Sequence, residues 1–203
     1  MDAAAEPIAA AAHDVPIAYM QRTREYYAAL GYGEPYRWAH HVAVPFHPLA
    51  KPLALCRVAI DRAHTTAEDI GSYFPLAALR RCAAAGRVGA LAARFHGLPT
   101  NRSHRITLDV DCREVVACCK ADGVDAVILV PNCPVCHQSV SLAARMLEAS
   151  GIATVVMGCA KDIVEHVGVP RFLFSDFPLG NAAGRPHDGQ AQAFTLELGL
   201  RVL

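Results

Sequence analysis

From residue 53 onward the chain alternates short, nearly uninterrupted apolar runs with longer segments whose apolar residues recur at helical spacing, and this alternation limits the possible folds more than any other feature. The apolar runs are "LALCRVAI", "VGALAARF", "VDAVILV", "IATVVMG" and "RFLFSD"; the helical segments are "FPLAALRRCAAA", "LDVDCREVVACCKAD", "HQSVSLAARMLEAS", "KDIVEHVG" and "GQAQAFTLELGLRVL". A strand with one wet face would alternate apolar and polar residues. A continuous apolar run must be buried on both faces, and the intervening helices supply the cover. Gly86, Gly123, Gly151 and Gly168 stand where helical segments close, at the position where glycine most easily makes a left-handed turn.

The pattern predicts one α/β domain over residues 53–203, with a doubly wound, mostly parallel five-stranded sheet of the flavodoxin-like kind. Residues 16–52 are expected to add a helical extension, an amphipathic helix with Ile17, Met20, Tyr27 and Leu30 on its apolar face, and then a Pro/His-rich connector, "HHVAVPFHPLAKP". Its aromatic residues are expected to cover a sheet edge or a partner subunit. Residues 1–15 are Ala-rich and carry acid where a secretory signal carries base, so they are expected to form a disordered tail on a cytoplasmic protein. Lys+Arg and Asp+Glu are balanced at 19 each, which leaves no global field to recruit nucleic acid or an anionic membrane. The apolar runs are far shorter than the roughly 20 residues that span a bilayer. The hydrophobic fraction of 53% makes a homo-oligomer the expected state.

In an open parallel sheet, ligands bind beyond the carboxyl ends of the strands. The loops there read "DRAHTT", "HGLPTNRSHRI", "PNCPVC", "GCAKD" and "SDFPLGNAAGRPHD", and the third leads into Cys133-Pro-Val-Cys136-His137. That pentapeptide has three chemical meanings: covalent haem attachment, half of a zinc site, and a thiol redox pair. Haem attachment belongs outside the cytoplasm, and no export signal is visible. Zinc needs two further ligands, and no second C-x-x-C or H-x3–5-H follows, although Cys159 and ten His are available. As a redox pair, Cys133 stands between a buried strand and a helix, whose N–H groups and positive dipole end favour a thiolate. Cys136, one turn on, can attack a sulfur adduct at Cys133. Of the other cysteines, Cys56, Cys82, Cys118 and Cys119 fall in strand or helix interiors and are expected in the core.

Around the pair, His64 and His104 are candidates for proton transfer and Arg102 for holding an anion. Asn101, Ser103, His137, Cys159 and Asn181 complete the expected substrate-facing set, with Asp176, Pro178 and Gly180 shaping the last loop. No bound cofactor is expected; an external dithiol would reset the pair. The alternative is a metal-binding protein, or a metal-dependent lyase or hydrolase, with zinc or another metal on Cys133, Cys136 and a nearby Cys or His, Cys159 being the candidate third thiol. A third reading is a non-catalytic subunit that docks through its aromatic N-terminal segment.

The stretch "DGVDAVILVPNCPVCHQSVSLAARMLEASGIATVVMG", with "FPLGN" further on, resembles the C-terminal segment of the selenoprotein B component of glycine, sarcosine and betaine reductases and of the related D-proline reductase. Those proteins carry selenocysteine-x-x-Cys after the same buried strand and a P-L-G-N loop later. Cys133 stands at the selenocysteine position, Cys136 at its cysteine partner, and residues 178–181 at the loop. The likeness is strongest over residues 122–184. A short, stand-alone branch of the family is similar to nearly all of the chain from Val15, including "EYYAALGY", "FPLAALR" and "KDIVEHVGVPRFLFSDFPLGN". The resemblance implies a nucleophilic selenol or thiol that attacks a substrate carbon activated elsewhere, expels an amine, and leaves an adduct resolved by reducing equivalents. It also implies a reductant protein or a partner subunit. The expectation is therefore a thiol-dependent oxidoreductase acting on a small molecule, with Cys133 as nucleophile and Cys136 as resolver.

Overall fold

The computed structural model describes residues 15–63 and 69–203; the expected tail up to residue 14, and the loop holding His64, lie outside the described residues. In chain order the elements are α1 (Tyr19–Ala29), β1 (Arg57–Ala63), α2 (Leu76–Ala84), β2 (Ala90–Leu91), β3 (Gly97–Leu98), α3 (His104–Ile106), α4 (Cys112–Ala121), β4 (Ala126–Val130), α5 (Pro134–Ala149), β5 (Ala153–Gly158), α6 (Lys161–Val167), β6 (Phe172–Phe174) and α7 (Gly189–Val202). A π-helical stretch, Thr107–Asp111, joins α3 to α4. The sheet is parallel throughout, in the order β2-β1-β4-β5-β6, with β3 also paired to β1. This is the flavodoxin-like winding. The chain leaves β1 in one direction and returns to β4 on its other side, so the crevice opens between the carboxyl ends of β1 and β4.

The run "VGALAARF" does not form one strand. Ala90 and Leu91 pair with the start of β1, and Gly97 and Leu98 with its end, Arg62 and Ala63. Between them the backbone N–H of His96 is taken by the Asp61 carboxylate at 2.8 Å, which draws the chain out of the ladder at this sheet edge. All four punctuating glycines adopt positive φ, as their positions predict.

Side chains alternate between two cores. Ala59, Val127, Leu129 and Val156 face α4, α5 and α6, whereas Val58, Ile60, Ile128, Val155 and Met157 face α2 and α7. Every residue of β4 and β5 is buried, which is what their continuous hydrophobicity requires.

Helix α5 is unusual within this frame because twelve of its sixteen residues are buried, well beyond the single stripe of a surface helix. Its outer side is covered by the N-terminal segment, and its polar groups are satisfied by the elements that enclose them. Gln138 accepts the N–H of Ala39 at 2.8 Å and donates to the Tyr36 hydroxyl at 2.6 Å. The fully enclosed Glu148 carboxylate accepts Arg171 Nη1 at 2.7 Å, the Thr154 N–H at 2.6 Å and the Thr154 hydroxyl at 2.8 Å, and also the His47 N–H. Arg171 in turn donates to the His47 carbonyl at 2.8 Å and lies over the Phe46 ring. Arg145 reaches the carbonyls of Gly168 and Ala43. Tyr19, Tyr36 and Trp38 thus pack on the α5–α6 helical layer, not on a sheet edge, while Tyr26, Tyr32 and Phe46 stay exposed. At the start of the segment, Met20 N–H meets Asp162 Oδ2 at 2.7 Å, which pins α1 to α6.

Removing one partner of the Glu148–Arg171 pair leaves the other charge buried and unpaired. Arg171→Ala is expected to lower the unfolding free energy by about 3–5 kcal/mol in chemical denaturation, and Glu148→Ala combined with it should cost less than the sum of the two single changes. A loss within the range of an ordinary surface change would show that the connector is not held this way.

Candidate active site

The C-x-x-C pair forms the first turn of α5 and not a loop ahead of it. Cys133 is the N-cap residue, with extended backbone (φ −126°, ψ 167°), and Pro134 follows at the first helical position. The Cys133 sulfur accepts the N–H of Cys136 at 3.2 Å, as a capping oxygen would. The two sulfurs sit at disulfide distance, with Cα atoms 5.0 Å apart. The pair is asymmetric. Cys133 is half-buried and lines a cavity, whereas Cys136 is fully buried and its sulfur lies 3.3 Å from the Thr100 hydroxyl.

Five of the other thiols are pushed toward the protonated state. Burial pushes Cys112, Cys119 and Cys159 up to about 12 and raises Cys56 and Cys82 as well. Cys159 packs with the α2–α7 core, its sulfur 3.8 Å from the Pro178 carbonyl, whereas Cys133 and Cys136 belong to the opposite core. Cys159 thus packs with a different set of side chains from the pair, and the expected three-thiol ligand set is not assembled among the described residues. Among the described residues no group of three or more His, Cys, Asp or Glu could hold a metal ion.

His137 is fully buried in the structure, away from the substrate-facing position expected of it. Its Nδ1 lies 2.8 Å from the Cys133 carbonyl, and its Nε2 accepts the backbone N–H groups of Cys159 at 3.0 Å and Ala160 at 3.1 Å. Accepting two N–H groups requires a bare Nε2, so Nδ1 carries the proton and donates it. Burial lowers the ring's pKa to about 4, against the small opposing effect of the Cys133 carbonyl. The imidazole is a neutral strut that ties the cap residue to the loop after β5. A Cβ at Gly158 would come within 2.9 Å of the ring, which is why that strand ends in glycine.

The cavity beside Cys133 has a volume of about 380 Å³ and lies between α1, the loop after β3 and the first turn of α5. Arg102 lines it, donates to the Tyr27 hydroxyl and stacks 4.5 Å from that ring's centre. Asn101 and Ser103 serve the loop itself. Asn101 accepts the Ser103 N–H at 2.9 Å and bonds to Asp111, while Ser103 caps the helix that begins at His104. His104 packs edge-on to Tyr36 and is not among the residues lining the cavity. Asn181 sits in the turn whose N–H faces the Cys159 sulfur.

Tyr19, Arg22, Thr23 and Tyr26 of α1, together with Thr100, line the cavity without having been expected there. The signal was present in "YMQRTREYY", which puts Tyr19, Thr23 and Tyr26 three or four residues apart on one face. The apolar face proposed for this helix is rotated: Tyr19 and Thr23 are its buried residues and Leu30 is 56% exposed.

The chain is similar to D-proline reductase subunit gamma of Acetoanaerobium sticklandii, with 30% identity over 126 residues that make up 62% of this chain and 52% of that protein. The chain thus matches about half the length of this curated relative. No family model matches the chain, and no solved structure matches it. No helix among the described residues is long and apolar enough to cross a membrane.

Two buried groups make opposing contributions to stability in acid. His137 takes up a proton near pH 6.5 when unfolded but only near 4 when folded, so across that window the unfolded state binds more protons and acid destabilises the fold. Asp61, raised to about 7 by burial against the His96 N–H bond, keeps its proton when folded over a range where the unfolded carboxyl has lost it. Acid therefore stabilises the fold through Asp61. The two effects are each worth roughly 3–4 kcal/mol and largely cancel. Relative to the parent protein, His137→Gln should gain stability from pH 7 to pH 4 and Asp61→Asn should lose it, as measured by denaturant unfolding at each pH. Parallel profiles for all three proteins would contradict these assignments.

Proposed function

We propose that the chain is a thiol-dependent reductase in which Cys133 is the nucleophile and Cys136 the resolving thiol. The observation that carries this reading is the asymmetric pair at a helix N-cap, one sulfur on a cavity wall and the other buried behind it. The similarity to a reductase subunit supports the reaction class. The position of Cys133 corresponds to selenocysteine in the selenoprotein B proteins that the sequence resembles. A thiolate at Cys133 is stabilised by the Cys136 N–H and the helix terminus.

In the first step the Cys133 thiolate attacks an electrophilic substrate carbon, the carbon–sulfur bond forms, and the leaving group departs with the bonding pair and takes a proton. Of the two histidine candidates His64 would supply that proton, since His104 lies off the cavity wall, and Arg102 would hold an anionic group of the substrate. In the second step the Cys136 thiolate attacks the Cys133 sulfur and forms the disulfide. The carbon leaves with the electron pair and is protonated. Two electrons have then passed from the dithiol to the substrate, and an external dithiol returns them. Its thiolate attacks Cys133, the accessible sulfur, and Cys136 departs as a thiolate to which Thr100 donates a hydrogen bond. A partner subunit is part of the proposal, because the similar protein is one subunit of its enzyme.

Cys133→Ser should abolish turnover, and Cys136→Ser should accumulate a covalent substrate adduct visible in the intact mass. Thr100→Val should slow reduction of the disulfide by an external dithiol about tenfold, as expected from losing one hydrogen bond to a developing charge. Full turnover by Cys133→Ser would overturn the proposal.

A further inference from the structure

We infer that the cavity beside Cys133 is built for a small anion with an apolar body and no ammonium group. The inference deepens the thiol-reductase reading by assigning the chemical class of its substrate. Two arginines, Arg22 and Arg102, line the cavity, and among the described residues no Asp or Glu does. Among the described residues neither guanidinium belongs to an ion pair; the seven salt bridges involve other residues. Both are exposed at the cavity rim, and Asp162 and Asp176, whose charges reach Tyr19, are not on the wall; two cations so placed favour an oxyanion and oppose a further positive charge.

The rest of the wall decides the body of the ligand. Tyr19, Tyr26 and Tyr27, with Pro134 and Val135, give it a predominantly apolar surface, and about 380 Å³ is at the small end of ligand sites. An ammonium can also be held over an aromatic face. Here Arg102 already occupies the face of Tyr27, 4.5 Å from its centre, and is fixed there by the Tyr27 hydroxyl. A guanidinium has five N–H donors, so this contact leaves donors for an incoming carboxylate. A free α-amino acid brings a carboxylate that suits the two arginines and an ammonium with no charged acceptor on the wall. An amine-free carboxylate meets no such conflict.

The test uses the reduced protein and three small aromatic probes: benzoate, benzamide and phenylglycine. Binding is measured by calorimetry, which does not depend on the thiol reacting, and protection of Cys133 from iodoacetamide is followed in parallel by mass. Benzoate is expected to bind at least tenfold more tightly than either benzamide or phenylglycine. Arg22→Gln and Arg102→Gln should each weaken benzoate about tenfold, with part of the affinity restored by Lys at the same position. Equal affinity for benzoate and phenylglycine, no benzoate binding, or benzoate binding indifferent to both substitutions would overturn the inference. Tight, arginine-dependent benzoate binding beside an unreactive Cys133 would uphold the anion site while removing the reductase reading.

Discussion

The burial of α5 on nearly all sides is the constraint from which the rest of the molecule follows. A helix packed only on a sheet can leave its polar residues in water. Here His137, Gln138, Ser139, Ser141 and Glu148 are all enclosed, and each would weigh against the fold if left without a partner. The two serines bond back to carbonyls of their own helix, at 3.2 and 2.6 Å. The other three reach outward and thereby organise other elements. Gln138 and Glu148 hold the segment around residues 36–47, and His137 holds the loop after β5. The extension that passes over α5 also carries α1, so the same polar ties that make the helix tolerable as a buried element bring the cavity's outer wall into place.

The site inherits its character from the helix end. The N-cap position leaves Cys133 with an N–H donor and a face on the cavity, while the next helical turn buries Cys136 against Thr100. The buried thiols elsewhere are pushed toward protonation by the same desolvation that stabilises the core. The chain therefore contains eight cysteines but arranges only one pair at a helix terminus with access to a cavity. His137, next in sequence, contributes by holding the carbonyl of Cys133 from within the core.

Much of the fold was legible in the sequence because burial on both faces leaves a continuous apolar run, as "VDAVILV" and "IATVVMG" do, and because glycine marks the helix ends. The second strand was not, since its interruption depends on the Asp61 carboxylate competing for one backbone N–H, an interaction between residues 35 apart. Within the candidate site, the C-x-x-C spacing marked Cys133 and Cys136, and the apolar run before them and the helical segment after them placed the pair at a helix start. The role of His137 was not legible, because a histidine beside two cysteines carries the same letters whether it faces a ligand or the core. Cys159 looked adjacent because its loop neighbours the third-strand loop, yet it packs with the other core of the sheet. Arg22 and the α1 tyrosines were hidden for a related reason: the helix has one amphipathic face by pattern, and only the polar ties along α5 determine which cavity that face completes.

The account stands or falls on whether Cys133 and Cys136 form one redox couple with Cys133 outermost. Peptide mass mapping of the native protein, alkylated briefly after reduction and again after reoxidation, measures this directly. The account predicts that Cys133 is labelled first among the eight cysteines, and that reoxidation removes two hydrogens from the peptide containing Cys133 and Cys136 and blocks its labelling. Faster labelling of another cysteine, or a disulfide that joins either residue to a different partner, would contradict it.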